Sequence, residues 1–280
     1  MSGSRIENPI ERRGIHAVLW VASAVALYPL LSILLLALNE PGTRVSGFTI
    51  PKTISFQNFS TAWERGGFGQ ALVSSAIIAT TVVVASIVLS LLAGYAFATM
   101  RFPFKNALFI TLIAGLMLPY EALIIPLFFG FRDLGLVDSR WAVILPQIGF
   151  SVSFGTFWMR SAFEGQPVSI QEAARIDGAD TWAILWRVLV PILKPATLSL
   201  AALLFLFAWN DFLLALVLIP QNESAQTAPL ALSFFAGQRR GADPGVIAAA
   251  ALIVAIPVLV MYVLLQRRFV QGMTAGAEKG

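Results

Sequence analysis

Two carboxylates lie in strongly apolar surroundings, where an ionised side chain is expensive. Glu121 belongs to the stretch MLPYEALIIP and Asp211 to the stretch FAWNDFLLAL. A carboxylate at membrane depth costs roughly 2.5–3.5 kcal/mol on insertion scales, so both side chains must face protein or water. Either could form a proton or sodium site, and with Tyr120 and Asn210 they could line a substrate pathway or gate. A structural role, in which they hydrogen-bond neighbouring helices, stays open.

Other reactive side chains are scarce. The chain has no cysteine, which excludes disulfides and thiolate catalysis, and the single histidine, His16, has no second histidine with which to hold a metal. The phosphate-binding pattern G-x-x-x-x-G-K-[ST] does not occur. We therefore expect no catalytic residue, metal or cofactor in this chain. Uphill transport would have to draw on an ion gradient or on another subunit.

Membrane-spanning helices are the elements that must hold these residues. Of the 280 residues, 58% are hydrophobic and only 12% charged, which is about half the charged fraction of an average soluble domain. A helix needs roughly 20 apolar residues to cross a bilayer. Six segments are long enough, near residues 15–38, 71–99, 106–130, 141–159, 196–219 and 245–266. The sequence thus predicts an all-α polytopic membrane protein, with one transmembrane domain over 15–266 and tails at 1–14 and 267–280.

Loop charges predict the orientation of these spans. With the N-terminus inside, the cytoplasmic segments would hold 12 of the 19 basic residues and the outer loops the other seven. The positive-inside rule then places both termini and residues 160–195 in the cytoplasm of a cell-membrane protein. The net charge of +4 follows from these loops and gives no reason to expect nucleic acid as a partner. Residues 220–244, rich in glycine, proline and glutamine, are predicted to form an outer loop.

Prolines predict an irregular third span. Pro119 and Pro126 bracket Glu121, and proline removes a backbone donor from a helix and clashes with the preceding turn. Backbone groups that are freed in this way are tolerated in a membrane only where they line a cavity or pack on protein. We therefore expect a kink or break around Glu121.

One long charged segment, SIQEAARIDGADTWAILWRVLVPILKP at residues 169–195, separates the fourth and fifth spans. Ser169 is predicted to cap a short helix that Gly178 ends, because glycine alone enters left-handed conformations cheaply. A second, amphipathic helix is predicted to start near Asp180 and to end at the two closing prolines, Pro191 and Pro195. Its apolar stripe would consist of Trp182, Leu185, Trp186 and Leu189.

The first of these two helices has the composition of a protein-binding surface. Ala173 and Ala174 leave a flat face that another protein can approach closely, and Glu172 and Asp177 could hydrogen-bond basic or amide groups on that partner. The alternative is an interfacial helix that lies on the membrane for its own packing. That alternative explains the second helix well but not the small and acidic residues of the first.

The segment resembles the EAA loop of the membrane subunits of ATP-binding-cassette (ABC) importers. The pattern of that loop is Glu-Ala-Ala, three residues, Gly, and then nine residues to a hydrophobic-x-hydrophobic-Pro ending. In this chain the matching residues are Glu172, Ala173, Ala174, Gly178, Val188, Val190 and Pro191. Outside this loop, the Glu121 and Asp211 stretches and the ending from Phe269 to Gly280 resemble the carbohydrate-uptake permeases, on the side of the maltose transporter's smaller permease. Glu278 departs from that ending, where a small or apolar residue is usual.

The resemblance implies a type I importer permease fold, with six spans and a cytoplasmic coupling loop. It implies a half-transporter that moves a carbohydrate by alternating access with a second, homologous permease. Two copies of a cytoplasmic ATPase would bind ATP and Mg, and an extracytoplasmic solute-binding protein would deliver the solute. The coupling residues would be Glu172, Ala173, Ala174, Asp177, Gly178 and Ala179. The C-terminal tail would reach the ATPase through Gln271, Gly272, Thr274 and Gly276.

Two other functions stay open at this point. One is an ion-coupled secondary transporter that uses Glu121 or Asp211, although it leaves the pattern of residues 169–195 unexplained. The other is an ABC permease for a solute that is not a sugar, such as a glycerol phosphate.

Overall fold

The computed structural model describes residues 9–43, 48–237 and 243–277, with side chains over 13–43, 48–237 and 243–264. The regular elements in these ranges are helices. In chain order they are α1 (Pro9–Ala37), α2 (Gln57–Gly66), α3 (Phe68–Thr99), α4 (Lys105–Leu116), α5 (Tyr120–Asp133), α6 (Arg140–Glu164), α7 (Val168–Ile176), α8 (Thr181–Ala183), a π-helix (Ile184–Leu189), α9 (Val190–Ile192), α10 (Lys194–Asn210), α11 (Leu213–Leu218), α12 (Ala228–Gly237) and α13 (Pro244–Ala277).

Four helices of the described chain are long and apolar enough to cross a membrane by themselves: Arg13–Ala37, Phe68–Thr99, Arg140–Glu164 and Pro244–Leu264. Two further pairs pass the same test together but are bent, α4 with α5 by 95° and Thr181–Ile192 with α10 by 77°. The described chain thus holds up to six spans if each bent pair counts as one. The predicted all-α polytopic architecture is confirmed.

The predicted break in the third span is confirmed and lies at Pro119. Helix α4 ends at Leu116, and Pro119 has the extended conformation φ −64°, ψ 114° just before α5 begins at Tyr120. Pro126, in contrast, lies within α5, which continues through it. The break leaves Glu121 in the first turn of a helix, where a carboxylate complements the helix dipole.

The prediction of a loop throughout residues 220–244 was wrong, because α12 occupies Ala228–Gly237 within it. The sequence of this helix, APLALSFFAG, is apolar, and Leu230 is fully buried. Its first turn is capped from a distant part of the chain, since the Ser75 hydroxyl of α3 accepts a hydrogen bond from the Ala228 backbone N–H at 2.8 Å. No local pattern predicts a cap of that kind.

The chain forms two compact units, the first of which comprises residues 1–67 and 232–254. Its centre is Asn58 of α2, which is fully buried and donates to the carbonyls of Ala37 at 3.1 Å and Asn39 at 2.8 Å. These carbonyls lie at the C-terminal end of α1, where helical partners are missing. Gly245 lies against the same amide, since a Cβ there would be 2.6 Å from Asn58 Nδ2.

The second unit comprises residues 68–231 and 255–280, and the close approach of α3 and α6 organises it. A Cβ on Gly94 would lie 2.8 Å from Met159 Cβ and 2.9 Å from the Arg160 backbone nitrogen. A Cβ on Gly155 would lie 2.1 Å from Ser90 Oγ. Small residues let helix backbones meet in a membrane, where van der Waals packing drives association. Helix α10 joins this pair, with Trp158 Nε1 donating to the Ala196 carbonyl at 3.1 Å.

Gly94→Ala should destabilise this unit, because one of the atoms that the new methyl group meets belongs to the backbone of α6. Overpacking of this kind costs about 1–3 kcal/mol. Gly149→Ala is the matched control on α6, since nothing lies within 4 Å of a Cβ there, and we expect it to be neutral or stabilising by up to about 1 kcal/mol. Thermal unfolding in detergent, followed by tryptophan fluorescence, measures both variants. Equal Tm values for the two variants would contradict the assigned contact.

Candidate functional site

The 168–193 segment, defined as Val168 to Leu193, has the predicted helix–turn–helix form. Helix α7 ends at Ile176, and Gly178 has φ +82°, the left-handed conformation that glycine adopts without strain. Asp180 then caps the next helix, since its carboxylate accepts a hydrogen bond from the Ala183 backbone N–H at 2.7 Å. The predicted ending at Gly178 and the start near Asp180 are both confirmed.

Two other details of the predicted helix boundaries were wrong. Ser169 does not cap α7, because the helix begins one residue earlier, with Pro167 at the N-cap position and no side-chain hydrogen bond there. The second helix ends at Ile192, one residue after Pro191, so Pro195 does not end it. Pro195 lies in the first turn of α10, where the missing N–H of proline would have had no helical partner in any case.

The predicted apolar stripe of the second helix was also only partly right, because residues 184–189 form a π-helix. Leu185 and Leu189 are buried at 2% and 0% exposure, whereas Trp182 and Trp186 are 61% and 39% exposed. A π-turn holds more residues than an α-turn, so it rotates the side chains that follow relative to a regular helix. Ile184, which is 1% exposed, takes a place in the buried face.

The buried face anchors the segment to the core of the second unit. Ile184, Leu185 and Leu189 belong to one buried cluster with α3, α6 and α10, and Tyr95 and Phe163 make an edge-to-face ring contact within it at 5.6 Å. The cluster also includes Leu91, Met159, Leu193, Leu200 and Leu204. Ile170 and Ala174 of α7 and Ala179 pack against it. A close-packed interior transmits strain, so this packing joins the segment firmly to the core.

The outer face of the segment is exposed and charged. Its ionisable side chains form no ion pair with another described residue, and they are Glu172, Arg175, Asp177, Asp180 and Arg187. Next to them lies an open hollow of about 840 Å³. The hollow is lined by Ala174, Asp177, Gly178, Ala179, Asp180, Trp182, Ala183, Trp186, Arg187 and Val188. Glu172 and Ala173 lie outside this lining but are exposed on α7. Of the six predicted coupling residues, four are therefore exposed, while Ala174 and Ala179 are half-buried against the core.

A second candidate site lies where the fifth span breaks. Helix α10 ends at Asn210, Asp211 is extended with φ −64° and ψ 122°, and α11 begins at Leu213. The Asp211 carboxylate accepts a hydrogen bond from the Leu214 backbone N–H at 3.1 Å and so caps α11. Asn210 Nδ2 donates to the Leu206 carbonyl at 2.8 Å.

This break opens on a cavity of about 750 Å³. Its walls are mostly apolar and aromatic, and they consist of Gly115, Leu116, Leu118, Tyr120, Gln147, Phe150, Ser151, Phe154, Leu204, Leu206, Phe207, Ala208, Asn210 and Asp211. Of the four predicted pathway residues, the structure brings Tyr120, Asn210 and Asp211 together at this cavity. Glu121 is exposed and is not part of the lining.

Sequence reasoning missed Gln147, the one carboxamide that α6 contributes to the cavity. Gln147 follows Pro146 inside an otherwise apolar span, WAVILPQIGF. A neutral amide in such a span is as informative as a carboxylate, because its polar atoms also need partners. The aromatic residues Phe150, Phe154 and Phe207 had no comparable signal, since phenylalanine is frequent in the third, fourth and fifth spans.

The predicted C-terminal contacts lie outside the described side chains. Helix α13 extends to Ala277, but the side chains of Gln271, Gly272, Thr274 and Gly276 fall beyond residue 264, where description of the side chains ends.

Comparison with known proteins decides the family. Residues 86–275 match the family described as "Binding-protein-dependent transport system inner membrane component". The chain belongs to this family. The ABC importer permease that the EAA loop suggested is thereby confirmed, and the chain is a membrane-spanning permease.

The relatives of this permease include importers of carbohydrates. The chain is 37% identical over 256 residues to the trehalose transport system permease protein SugB of Mycobacterium tuberculosis, covering 91% of this chain and 93% of that protein. It is 29% identical to the diacetylchitobiose uptake system permease protein NgcG of Streptomyces coelicolor, covering 93% and 87% of the two chains. A crystal structure of a bacterial ABC transporter involved in the import of the acidic polysaccharide alginate has a similar chain, with a TM-score of 0.79 and 25% identity, covering 96% of this permease and 100% of that chain.

Two substitutions at Asp211 separate the helix cap from the charge. Asp211→Asn should keep the Tm of the permease, because asparagine caps helices as well as aspartate does. We expect it nevertheless to lower solute uptake about tenfold, because hydrogen bonds to a charged group are stronger than neutral ones. Asp211→Ala should lower both uptake and Tm, since the loss of a cap costs about 0.5–2 kcal/mol. Solute uptake is measured in proteoliposomes. If the Asp211→Asn variant takes up solute at the wild-type rate, the role of Asp211 is limited to capping α11.

Proposed function

We propose that this permease is one half of the membrane channel of an ATP-driven carbohydrate importer. It pairs with a second, homologous permease and works with two copies of a cytoplasmic ATPase and an extracytoplasmic solute-binding protein. ATP and Mg bind to the ATPase, so this chain needs no catalytic residue of its own. Both termini and the 168–193 segment face the cytoplasm.

The observation that carries this proposal is the build of the 168–193 segment. One face of the segment is buried in the core through Ile184, Leu185 and Leu189. The opposite face is exposed, carries charged side chains and borders the open hollow of about 840 Å³. The outward residues of α7 include the charged Glu172 and Arg175 as well as the apolar Val168 and Ile176, which are 65% and 86% exposed. A helix that merely lay on the membrane would direct a purely apolar face into lipid, whereas this mixed surface suits a protein partner. Charged groups that form no ion pair with another described residue and lie next to a hollow are suited to receive a water-soluble protein.

Coupling follows from that two-sided construction. When the ATPases close on ATP, the surface that holds the segment moves, and the segment moves with it. The displacement of its buried face is transmitted to α3, α6 and α10, because a close-packed core shifts as a rigid unit and does not deform locally. The same helices α6 and α10 form walls of the 750 Å³ cavity. Motion of the ATPases is thereby converted into opening and closing of a solute path.

Carbohydrate is favoured as the solute on two grounds. The relatives of this chain include permeases named for trehalose and diacetylchitobiose. The cavity walls combine aromatic residues with a few convergent polar groups, as small-molecule sites do. A glycerol phosphate is disfavoured, because the described residues that line the cavity include no lysine, arginine or histidine to neutralise a phosphate.

An ion-coupled mechanism is disfavoured by the family, a binding-protein-dependent transport component, and it leaves the pattern of residues 169–195 unexplained.

Uptake by the complete importer tests the proposal. A tagged form of this permease is purified from its native membrane with its bound subunits and reconstituted with the cognate binding protein. Trehalose and diacetylchitobiose are the sugar probes, and glycerol 3-phosphate is the non-sugar control. We expect uptake of at least one of the two sugars that requires ATP inside and ceases when ATP is exhausted. Uptake that persists without ATP while a proton gradient is maintained would contradict the proposal.

Gly178→Val should uncouple the importer. Its φ of +82° is strained for any residue with a side chain and most of all for a β-branched one, and the left-handed conformation costs roughly 1–2 kcal/mol. Nothing lies within 4 Å of a Cβ at this position, so the effect is conformational and not a clash. We expect normal membrane insertion with at least about tenfold less sugar-stimulated ATP hydrolysis.

Gly178→Asn is the matched control, because asparagine tolerates left-handed backbone better than other side chains do. The Gly178→Asn variant should retain most of the stimulation of ATP hydrolysis by sugar. If the Gly178→Val variant binds the ATPase normally and shows normal sugar-stimulated ATP hydrolysis, the 168–193 segment is not the surface on which the ATPase docks.

A further inference from the structure

Helix α2 carries its largest side chains on the outside. Within Gln57–Gly66 the buried residues are Asn58 and Ala62, a polar residue and a small one. Trp63 is 51% exposed, and Phe56, which directly precedes the helix, is 69% exposed. A surface helix in water does the reverse, since it turns its apolar face to the core and its polar face to the solvent. The surroundings of α2 are therefore not water alone.

The exposed surface of α2 consists of two stripes of opposite character. Phe56, Phe59 and Trp63 follow one another at the i, i+3, i+7 spacing that places residues on one side of a helix, and the two phenylalanine rings lie 6.2 Å apart. Ser60 and Glu64, four residues apart and both exposed, form a polar stripe next to this aromatic stripe. An aromatic and a polar stripe side by side are typical of a helix that lies in the plane of a membrane surface.

Asn58 holds α2 at the level where a span ends. Its Nδ2 donates to the carbonyls of Ala37 at 3.1 Å and Asn39 at 2.8 Å, at the C-terminal end of the span Arg13–Ala37. This span has 25 residues, so it is about 38 Å long, whereas the hydrocarbon core of a bilayer is about 30 Å thick. A centred helix of this length ends about 4 Å outside the core, among the lipid headgroups.

Further exposed apolar side chains connect this span to α2. Phe48 stacks on Tyr28 of α1 with ring centroids 5.6 Å apart, and Tyr28 is itself 54% exposed. Ile50 and Ile54, which follow along the chain toward α2, are 72% and 70% exposed. A single exposed isoleucine needs no explanation, but a contiguous apolar surface marks a contact with lipid or with another molecule. Here the surface adjoins a span whose own surroundings are lipid.

We propose that α2 is an interfacial anchor, a helix whose aromatic stripe of Phe56, Phe59 and Trp63 inserts among the lipid headgroups where α1 leaves the membrane. With both termini in the cytoplasm, as proposed above, these are lipids of the outer leaflet. Tryptophan is enriched at this level of a bilayer because its ring is both apolar and polar. The polar stripe next to the aromatic one favours lipid over a protein partner, since Ser60 and Glu64 then face the water.

The anchor acts on the ends of two spans. Asn58 also meets the start of α13, since a Cβ on Gly245 would lie 2.6 Å from Asn58 Nδ2 and 3.1 Å from the Leu36 carbonyl oxygen. The last turn of α1, the first turn of α13 and α2 are thus packed around one buried amide. Insertion of the aromatic stripe therefore sets the depth of both spans in the bilayer, whichever solute the importer carries.

Spin labels on α2 test the anchor, because the chain has no cysteine of its own and a single one can be placed at will. Phe56→Cys and Trp63→Cys carry a nitroxide on the aromatic stripe. Ser60→Cys and Glu64→Cys are the matched controls on the polar stripe. Each variant is purified as the complete importer, with any cysteine of the other subunits replaced, and is reconstituted in vesicles of phosphatidylethanolamine and phosphatidylglycerol. Power saturation of the EPR signal measures collisions with oxygen, which concentrates in lipid, and with nickel-EDDA, which stays in water.

For Phe56→Cys and Trp63→Cys we expect more collisions with oxygen than with nickel-EDDA, and for the two controls the reverse. An excess of nickel-EDDA collisions on the aromatic stripe would place it in water and overturn the anchor. Protection from both reagents would also overturn it, because a protein such as the partner permease would then cover the stripe. Nickel-EDDA access that disappears only when the solute-binding protein is added would assign the stripe to that protein instead. The measurement requires no transport, so it stands whatever the solute proves to be.

Discussion

The close approach of α3 and α6 is the contact on which the rest of the second unit depends. Gly94 and Gly155 bring the two backbones so near that a methyl group at either position would meet atoms of the other helix within 3 Å. In a membrane the hydrophobic effect does not drive such pairs together, so packing at this distance has to supply the association energy. The cluster that holds Ile184, Leu185 and Leu189 assembles on this pair.

Helix α6 contributes to both the cavity and the buried cluster. Gln147, Phe150 and Phe154 line the cavity, and Met159 and Phe163, nearer the C-terminal end of the helix, belong to the cluster beneath the 168–193 segment. Phe154 packs against that cluster and also lines the cavity, and Leu204 of α10 is likewise common to both. The proposed docking surface and the proposed solute path therefore share side chains, which would give a coupling mechanism a contiguous physical route.

Those parts of the structure that depend on local stereochemistry were predictable from the sequence. Gly178 ends a helix, Asp180 caps the next one and Pro119 breaks the third span, because in each case the residue itself favours that conformation. Three features depend on distant contacts and were not predictable: the Ser75 cap on α12, the π-helix at 184–189 and the place of Gln147 beside Asp211 at the cavity. An amide in an apolar span signals a polar site, but only the fold reveals which residues of other helices lie beside it.

The fold and the cargo of such a permease are set by different residues. An importer of the acidic polysaccharide alginate has a chain of similar fold, with a TM-score of 0.79, although the cavity described here holds a carboxylate and no basic group among its described lining residues. The residues that build the fold, Gly94 and Gly155 among them, lie at the contact between α3 and α6, away from the cavity lining. If this cavity is the solute path that we propose, a change of cargo would alter side chains around Asp211, while the core built on Gly94 and Gly155 stays the same. The charge of the cavity would then be a better guide to the solute than the architecture, which the alginate importer shares.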